Sequence, residues 1–434
     1  MSSIKASTGL SRKWNPKEAG REVTRDAVDR LGEKPKFVIL ACTYEYQKEK
    51  GYEKLLEGVW EILPEGTELI GGTISGFMIP RGCYSRGVAM LAVTGDMDVA
   101  SAHYEDTKWR PEKAGKKAGK KILKKLDGSK YRNGFFVDFT SGPYLVNIPI
   151  IGKRKVVESK LVGWGVSLFL PIMGWFGFGN GREERVRESL TKVLHDYKGV
   201  GFSTWDDNRF LYHRVFHGKK VFMNTIAVLG MKSDFDSYVN AGFGFKKTEK
   251  SFMVTKTDRS KRIIEKINGK PAKQEYLRIL DWKPEYIDEN HVSRTEFVLP
   301  SFEKDGALYP EVTSLFYGDY IVLGRRLDDP RMTVLTISGK SLINAVDDSM
   351  ENFEGKPIFA LMPDCGARQQ ALGDKIFKAK EKIDNYMKGA PYLDLFCAGE
   401  ATYTPEQGSR HKHESFNIGI VKKDKKNSLY NDGL

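Results

Sequence analysis

The residues best suited to chemistry fall into three clusters along the chain. In the first cluster, glycines would let a ligand approach the backbone and bind its amides, as carboxylates and phosphates commonly do, and two hydroxyls lie beside them. The members of this cluster are Gly71, Gly72, Thr73, Ser75 and Gly76. The alternative interpretation is a tight turn whose glycines supply a positive φ.

The second cluster lies between Gly201 and Asn208 and contains Ser203, Asp206 and Asp207. Its carboxylates could bind a metal or an amino group. Aspartate serves equally well to cap a turn through the neighbouring backbone, and this alternative is favoured.

The third cluster combines Cys365, Arg368, Glu400 and His413. The planar fork of Arg368 suits a carboxylate and Glu400 suits an ammonium, so the two side chains together could bind both ends of an amino acid. A structural ion pair between Arg368 and Glu400 at a module interface would explain the same residue types. Both interpretations stay open on the sequence alone.

Catalysis by cysteine is a further alternative for the third cluster. A thiolate of Cys365 activated by His413, with Glu400 beside it, would be a nucleophile, but no local hydrolase signature surrounds the cysteine. His411 and His413 alternate and could share a metal on one face of a strand, although their charged neighbourhood favours a solvated loop. The sequence therefore predicts neither a metal nor a cofactor, and it favours a binding protein over an enzyme.

A repeated unit positions these clusters. Over residues 15–105 the pattern predicts the order α-β-α-β-β-β, beginning with a helix that Asn15 caps and that Gly32 ends. A second copy over residues 110–245 begins with Pro111–Lys116, which echoes Pro16–Arg21 almost position for position. A third copy spans residues 340–421.

Three such copies predict an α/β fold of the mixed α+β kind, with mixed sheets covered by helices. We expect a first module over residues 1–250, which holds two units, and a second over residues 251–434. In the second module, a linker hairpin over residues 252–267 and a helix over residues 271–280 precede the third unit. A basic tail over residues 422–434 follows that unit.

The net charge of +13 is concentrated in one stretch. Between Lys108 and Arg132, eleven Lys and Arg residues face two Asp and Glu residues. Small and apolar residues recur there every four positions, which predicts an amphipathic helix over residues 111–126 whose lysines are solvated. The alternative is a face that binds nucleic acid or an anionic surface, but no aromatic residues interleave as a base-stacking platform requires.

Four isolated cysteines, the absence of an apolar leader and the absence of a sufficiently long apolar run together predict a cytoplasmic protein without disulfides or a transmembrane segment. The aromatic insertion over residues 161–178 must nevertheless bury its surface. A module interface or a homodimer contact is the favoured role, with a lid over the ligand and membrane association as alternatives.

Four stretches together resemble the FIST family. Residues 267–272 followed by Tyr276 resemble its linker "L-D-G-K-P-A…Y", and residues 71–76 resemble its "G-G-S-T-A-G", with Phe77 where glutamate is frequent. Residues 365–368 with Gly373 resemble "C-x-G-R…G". Residues 399–413 resemble the ending "G-E…G…H-N-Q-T", with Glu414 in place of the usual asparagine.

The resemblance spans roughly residues 34–421 and implies a FIST N-terminal module followed by a FIST C-terminal module. It implies an intracellular sensory protein that binds a small molecule such as an amino acid and signals through a separate protein. The family supplies no catalytic residues to transfer to this chain.

Overall fold

The structure is a computed structural model. It describes residues 3–143, 182–207, 212–286, 298–304, 307–311, 313–412 and 414–423, together with the single positions 165 and 209. The aromatic insertion over residues 161–178 lies outside the described residues except for Gly165, and so do His413, Asn208 and the basic tail from residue 424 onward.

The longer helices bury an apolar stripe, and the side chains of Asn15 and Ser338 cap the two helices that follow them. The described residues contain the helices α1 (Pro16–Leu31), α2 (Gly51–Trp60), α3 (Pro111–Lys125), α4 (Glu183–Thr191), α5 (Ala272–Leu280), α6 (Gly339–Ser349), α7 (Gly366–Leu372) and α8 (Ile376–Met387). Short 3₁₀ helices cover Tyr44–Lys50, Pro284–Tyr286 and Gly373–Lys375. The predicted cap of α1 is confirmed, since the Asn15 side chain accepts from the Glu18 amide at 3.1 Å and Gly32 has a φ of 71°.

The first unit contains two long helices and six strands. Its strands are β1 (Ile4–Ser11), β2 (Phe37–Thr43), β3 (Glu68–Ile74), β4 (Gly76–Ile79), β5 (Gly82–Tyr84) and β6 (Val88–Gly95). From α1 onward the chain follows the predicted order with one strand more, because four strands and not three follow α2. In addition, β1 precedes α1 and pairs with β6. Each unit therefore begins with a strand that the sequence pattern did not predict.

The second and third units repeat this plan. The second contains β7 (Met97–Glu105), β8 (Asn133–Thr140), β9 (Lys198–Ser203), β10 (Val215–His217), β11 (Lys220–Phe222) and β12 (Thr225–Ser233). The third contains β13 (Asp236–Gly242), β22 (Lys356–Cys365), β23 (Tyr392–Cys397), β24 (Glu400–Thr404), β25 (Gly408–Lys412) and β26 (Phe416–Lys423). β13 falls within the segment that the sequence assigned to the first module.

The three units exchange hairpins in a ring. The strand orders of their sheets are β1-β6-β2-β3-β10-β11, β25-β24-β9-β8-β12-β7 and β13-β26-β22-β23-β4-β5. The hairpin of the second unit thus completes the sheet of the first, the hairpin of the third completes that of the second, and the hairpin of the first completes that of the third. Each sheet is mixed because one pair of its strands is parallel: β2 with β3, β8 with β9, and β22 with β23.

The inner faces of the three sheets share one apolar core. Ile39 of β2, Val137 of β8 and Leu361 of β22 belong to the same buried cluster. The outer faces are covered by helices in three separate cores, formed with α1 and α2, with α3 and α4, and with α6 and α8. The helices therefore lie outside and the sheets inside, as the sequence predicted for helix-covered sheets.

A fourth sheet is inserted in the third unit between β13 and α6. Its strands are β14 (Lys246–Thr257), β15 (Ile263–Ile267), β16 (Lys270–Pro271), β17 (Val298–Lys304), β18 (Ala307–Pro310), β19 (Thr313–Tyr317), β20 (Tyr320–Leu323) and β21 (Arg331–Thr336). The predicted hairpin (β14 with β15) and helix (α5) are confirmed, but they belong to a larger element with its own core. Arg262 of this element contacts Glu184 of α4 at 2.6 Å.

Candidate functional site

The carboxyl ends of the three parallel strand pairs meet at one junction. Backbone hydrogen bonds join the segments that leave β3, β9 and β23, one unit to the next. These bonds run from Ser75 N to Phe396 O (3.0 Å), from Trp205 N to Thr73 O (2.9 Å), from Ser203 N to Gly399 O (2.9 Å) and from Ala398 N to Ser203 O (3.0 Å). The ring is closed, so every unit contributes to the junction.

The backbone of Gly366 is closely surrounded at this junction. A Cβ at this position would lie 3.3 Å from Ser75 Oγ of the first unit and 3.3 Å from Trp205 Nε1 of the second. It would also lie 3.4 Å from Cys397 O of the third unit. Since Gly366 has no side chain, polar atoms of three units can approach its backbone closely. The carboxyl ends of parallel strands are where α/β proteins commonly bind ligands.

The glycines of the first cluster do not form a turn. Gly71 and Gly72 lie inside β3, and neither they nor Gly76 has a positive φ. A Cβ on Gly71 would lie 1.8 Å from Leu40 O, and one on Gly72 would lie 2.5 Å from Thr204 Cγ2. The predicted turn is wrong, because these glycines are needed for close packing of neighbouring strands.

The polar groups of the first cluster already have partners. Thr73 N donates to Arg214 O at 3.0 Å, and Arg214 N donates to Thr73 Oγ1 at 2.9 Å. Ser75 Oγ lies 3.0 Å from Gln369 Oε1 and 3.2 Å from Phe396 O. A ligand at Ser75 would therefore share the hydroxyl with the third unit.

The second cluster divides between two roles. Asp206 is buried, and its Oδ2 accepts from the Tyr212 amide at 2.7 Å, as the capping interpretation expects. Ser203 ends β9, and its Oγ accepts from Arg187 Nη1 at 3.1 Å. Of Ser203, Asp206 and Asp207, Ser203 takes part in the ring of backbone hydrogen bonds.

Sequence reasoning missed a buried ionic network behind Ser203. Arg187 of α4 donates through Nε and Nη2 to Asp138 Oδ2 at 3.2 Å, and both side chains have no exposed surface. Tyr403 OH donates to Asp138 Oδ1, and Thr140 Oγ1 donates to Oδ2. Burial alone would lower the pKa of Arg187, but Asp138 outweighs it and raises that pKa. The network ties α4 to β8 and to the exchanged strand β24.

Arg368 does not pair with Glu400. Its Nε donates to Asp364 Oδ1 at 2.6 Å and its Nη1 donates to Leu342 O at 2.8 Å, with 1% of the residue exposed. The predicted Arg368–Glu400 ion pair is wrong. Binding of a ligand carboxylate by Arg368 stays a prediction. Its guanidinium already pairs with Asp364, which lies four residues earlier on β22.

Glu400 is a buried carboxyl at the start of β24. It accepts from Ser415 N at 3.4 Å and from Ser415 Oγ at 3.3 Å, and its Oε1 lies 4.0 Å from Cys397 Sγ. Burial, followed by the charge of Asp364, raises the pKa of Glu400 to about 8. At neutral pH this side chain is mostly protonated and can donate a hydrogen bond.

Cys365 lies in an environment opposite to that of a catalytic thiolate. Burial and then the neighbouring carboxyls of Glu400 and Glu414 raise the pKa of its thiol well above the usual range. Reactive cysteines instead have a lowered pKa beside positive charge. The third residue of the alternative catalytic set, His413, lies outside the described residues. Within the part of the chain that the structure describes, no group of three His, Cys, Asp or Glu residues could hold a metal ion.

Trp205, Gln369 and Ser415 also contribute to the junction and were not predicted. Trp205 and Gln369 follow the strand ends of β9 and β22, so their positions after buried strands were the available signal. Ser415 precedes the last strand, and its contact with Glu400 depends on a fold that brings residues fifteen apart together.

The predicted basic helix is present as α3, and its buried stripe is confirmed. Ala114, Ala118 and Ile122 are buried. Lys121 Nζ donates to His103 O at 3.1 Å and Lys125 Nζ donates to Ser101 O at 2.7 Å, so both lysines fasten α3 to β7. Binding of an anionic partner by the remaining lysines stays a prediction. Among the described residues, no helix is both long and apolar enough to cross a membrane.

The profile of the FIST N domain matches residues 36–270. Among solved structures, the chain is similar to a cyanuric acid hydrolase from A. caulinodans with 9% sequence identity and a TM-score of 0.27, over 53% of this chain and 71% of that one. At that score the likeness supports no conclusion about fold or activity. No curated protein matches the chain.

Proposed function

Because the chain belongs to the FIST family through its FIST N domain, we propose that it is a sensory protein that binds a small polar metabolite at the junction of its three units. Amino acids are the first ligand class to test. The observation that carries the proposal is the closed ring of backbone hydrogen bonds around Gly366, because a ligand there would contact all three units at once.

The chemistry of the junction favours a ligand with both donors and acceptors. Ser75 Oγ can both donate and accept a hydrogen bond. Protonated Glu400 adds a donor and an acceptor in a buried setting, where unmatched polar groups are costly. A carboxylate or amide of the ligand would meet the donors, and an amino group would meet the acceptors.

Binding also offers a route to a response. A ligand that contacts the exchanged segments would favour the state in which the hairpins are seated, since it stabilises only the conformation that it fits. We propose that a separate protein detects this state in the cytoplasm. We further propose a FIST C-terminal module after the matched domain, and a dimer contact or lid for residues 161–178.

Thermal-shift measurements with amino acids and other polar metabolites test the proposal. A ligand present at a hundred times its Kd stabilises the native state by about 2.7 kcal/mol, which raises Tm by a few degrees. Glu400→Gln keeps a hydrogen-bond donor and an acceptor but replaces the titratable carboxyl with an amide. Ser75→Ala removes the hydroxyl that the first and third units share. We expect both variants to weaken the apparent affinity for the active metabolite at least threefold, and therefore to reduce the increase in Tm that it causes.

Glu406→Gln is the matched control, because Glu406 is exposed on the turn that joins β24 to β25. It should respond as the unaltered protein does. A metabolite that shifts Tm equally in all three variants would place binding elsewhere, and the absence of any active metabolite in a broad set would contradict the sensory proposal.

A further inference from the structure

A cleft of about 500 Å³ opens on the helix side of the first unit, between α1, α2 and the turn of the β10–β11 hairpin. Its apolar floor consists of Leu56 and Trp60 of α2. Leu56 is buried and the Trp60 ring is half-buried. The volume lies within the range of small-molecule sites in proteins. The hairpin comes from the second unit, so two units form the cleft.

The Trp60 ring already has a cation on its face. Lys219 Nζ lies 5.2 Å from the ring centroid, which is within the distance of a cation–π contact. The indole Nε1 donates to Gly218 O at 3.0 Å, so the ring is fixed in orientation by the hairpin turn. Lys219 itself is exposed and can leave the ring at little cost.

An acidic row borders the same cleft. Glu53 and Glu57 lie on α2 and Glu61 is the residue that caps its C-terminus, and their spacing of four residues places them on one face. Lys17 and Arg21 neutralise Glu61, with Lys17 Nζ at 2.8 Å from Glu61 Oε1.

The far end of the row keeps its negative charge. Glu57 has only Lys17 at 3.8 Å, and no ion pair involves Glu53 within the described part of the chain. One carboxylate with a single distant cation, Glu57, and one without a recorded ion pair among the described residues, Glu53, thus lie beside a fixed aromatic face.

We propose that this cleft binds a small organic cation, an ammonium or guanidinium group carried on an apolar body. The cationic group would replace Lys219 on the Trp60 ring and pair with Glu53 and Glu57, and the apolar body would cover Leu56. Charge complementarity and the aromatic face select a cation over a neutral molecule of the same shape.

Occupation of the cleft would act on the junction through the hairpin. The turn at Gly218 leads back through β10 to Arg214. The backbone of Arg214 makes two hydrogen bonds with Thr73, which belongs to the ring of backbone hydrogen bonds at the junction. A cation in the cleft would therefore stabilise the seated hairpin from outside the junction. This second site is separate in position from the metabolite site, although the hairpin connects the two.

Titration of the protein, labelled with ¹⁵N at its tryptophans, tests the proposal. Benzylamine, a cation at neutral pH, is the probe, and benzyl alcohol is its neutral counterpart. The indole N–H resonance of Trp60, assigned with Trp60→Phe, should move with benzylamine and stay in place with benzyl alcohol. The Trp109 resonance serves as the internal control on the second unit.

Two variants make opposite predictions. Lys219→Ala frees the ring and should tighten benzylamine binding about two- to fivefold. Glu53→Gln removes a carboxylate and should weaken it about two- to fivefold. Glu303→Gln, on the inserted sheet, should leave the titration unchanged. All three positions are exposed, so the substitutions leave the core intact.

Three outcomes would overturn the proposal: a Trp60 resonance that does not move with benzylamine, equal movement with benzyl alcohol, or unchanged affinity in both variants. Glu400→Gln separates the two sites. It should leave the benzylamine titration unaltered, whereas Glu53→Gln should leave the response to a junction metabolite unaltered.

Discussion

At the scale of single residues, burial changes the chemistry that residue types suggest. Glu400 and Cys365 suggest an ionised acid and a nucleophile, yet burial keeps both mostly protonated at neutral pH. Arg368 suggests a ligand contact, yet Asp364 holds its guanidinium. The junction therefore offers hydrogen-bonding groups with little net charge.

His217 of the exchanged hairpin is one residue through which pH acts on the fold. Ser101 Oγ donates to Glu68 Oε2, and His217 Nε2 lies 2.9 Å from Ser101 Oγ. His217 Nδ1 lies 3.0 Å from His103 Nδ1, so one ring must accept. The pKa of His217 is lowered to about 4, mainly by burial and then by the nearby His103, Lys125 and Lys121.

Stability is expected to fall on acidification through His217. The unfolded chain binds a proton near pH 6.5 and the folded state only near pH 4, so the contribution is complete above pH 6.5 and is lost as the pH falls to 4. Urea unfolding at several pH values should show a loss of up to about 1.4 kcal/mol per pH unit from this group. His217→Gln should flatten that dependence, and His195→Gln, which alters an exposed histidine, should not. Parallel pH profiles for all three proteins would contradict the assignment.

At the scale of elements, the glycines of β3 determine how closely two strands approach. Gly71→Ala would place a Cβ 1.8 Å from Leu40 O of β2, and backbone cannot move aside as a flexible side chain can. We expect a loss of at least about 3 kcal/mol in the free energy of unfolding, measured by urea denaturation. Gly339→Ala, where a Cβ meets no atom within 4 Å, should be neutral or slightly stabilising. Equal effects of the two substitutions would contradict this account.

The sequence predicts elements better than their partners. Caps and apolar stripes predict α1, α3 and the repeat itself, because these signals are local. The first strand of each unit was missed because β1, β7 and β13 are edge strands, so their apolar pattern is weak. The glycine-rich stretch 71–76 suggests a turn from its sequence because close strand packing and a positive φ favour the same residue type.

At the scale of the whole molecule, the exchanged hairpins make the three sheets one cooperative body. β3 pairs with β10 of the second unit, and β23 pairs with β4 of the first, so no unit has a complete sheet of its own. The shared core joins the inner faces. The inserted sheet has a separate core and is attached mainly at its own ends and through Arg262.

Native-state hydrogen exchange should report this cooperativity. Amides of β2, β8 and β22 are expected to exchange with similar free energies of opening, and Gly71→Ala should lower all three although it lies in the first unit. Amides of β14 and β21 in the inserted sheet should be less affected. A loss of protection confined to β2 and β3 would show that the units open independently.

Each hairpin pairs with the sheet of another unit, which is the arrangement expected of a cyclic homotrimer but is formed here by a single chain. In a true trimer, symmetry would force the same residue onto all three copies of each position. Here the residues that lead into the three exchanged hairpins are Gly76, Arg214 and Glu400, which differ in size and charge. Because the three copies are fused in one chain, each can contribute a different residue to the junction. The junction can therefore bind one asymmetric ligand at a centre that would have threefold symmetry in a homotrimer.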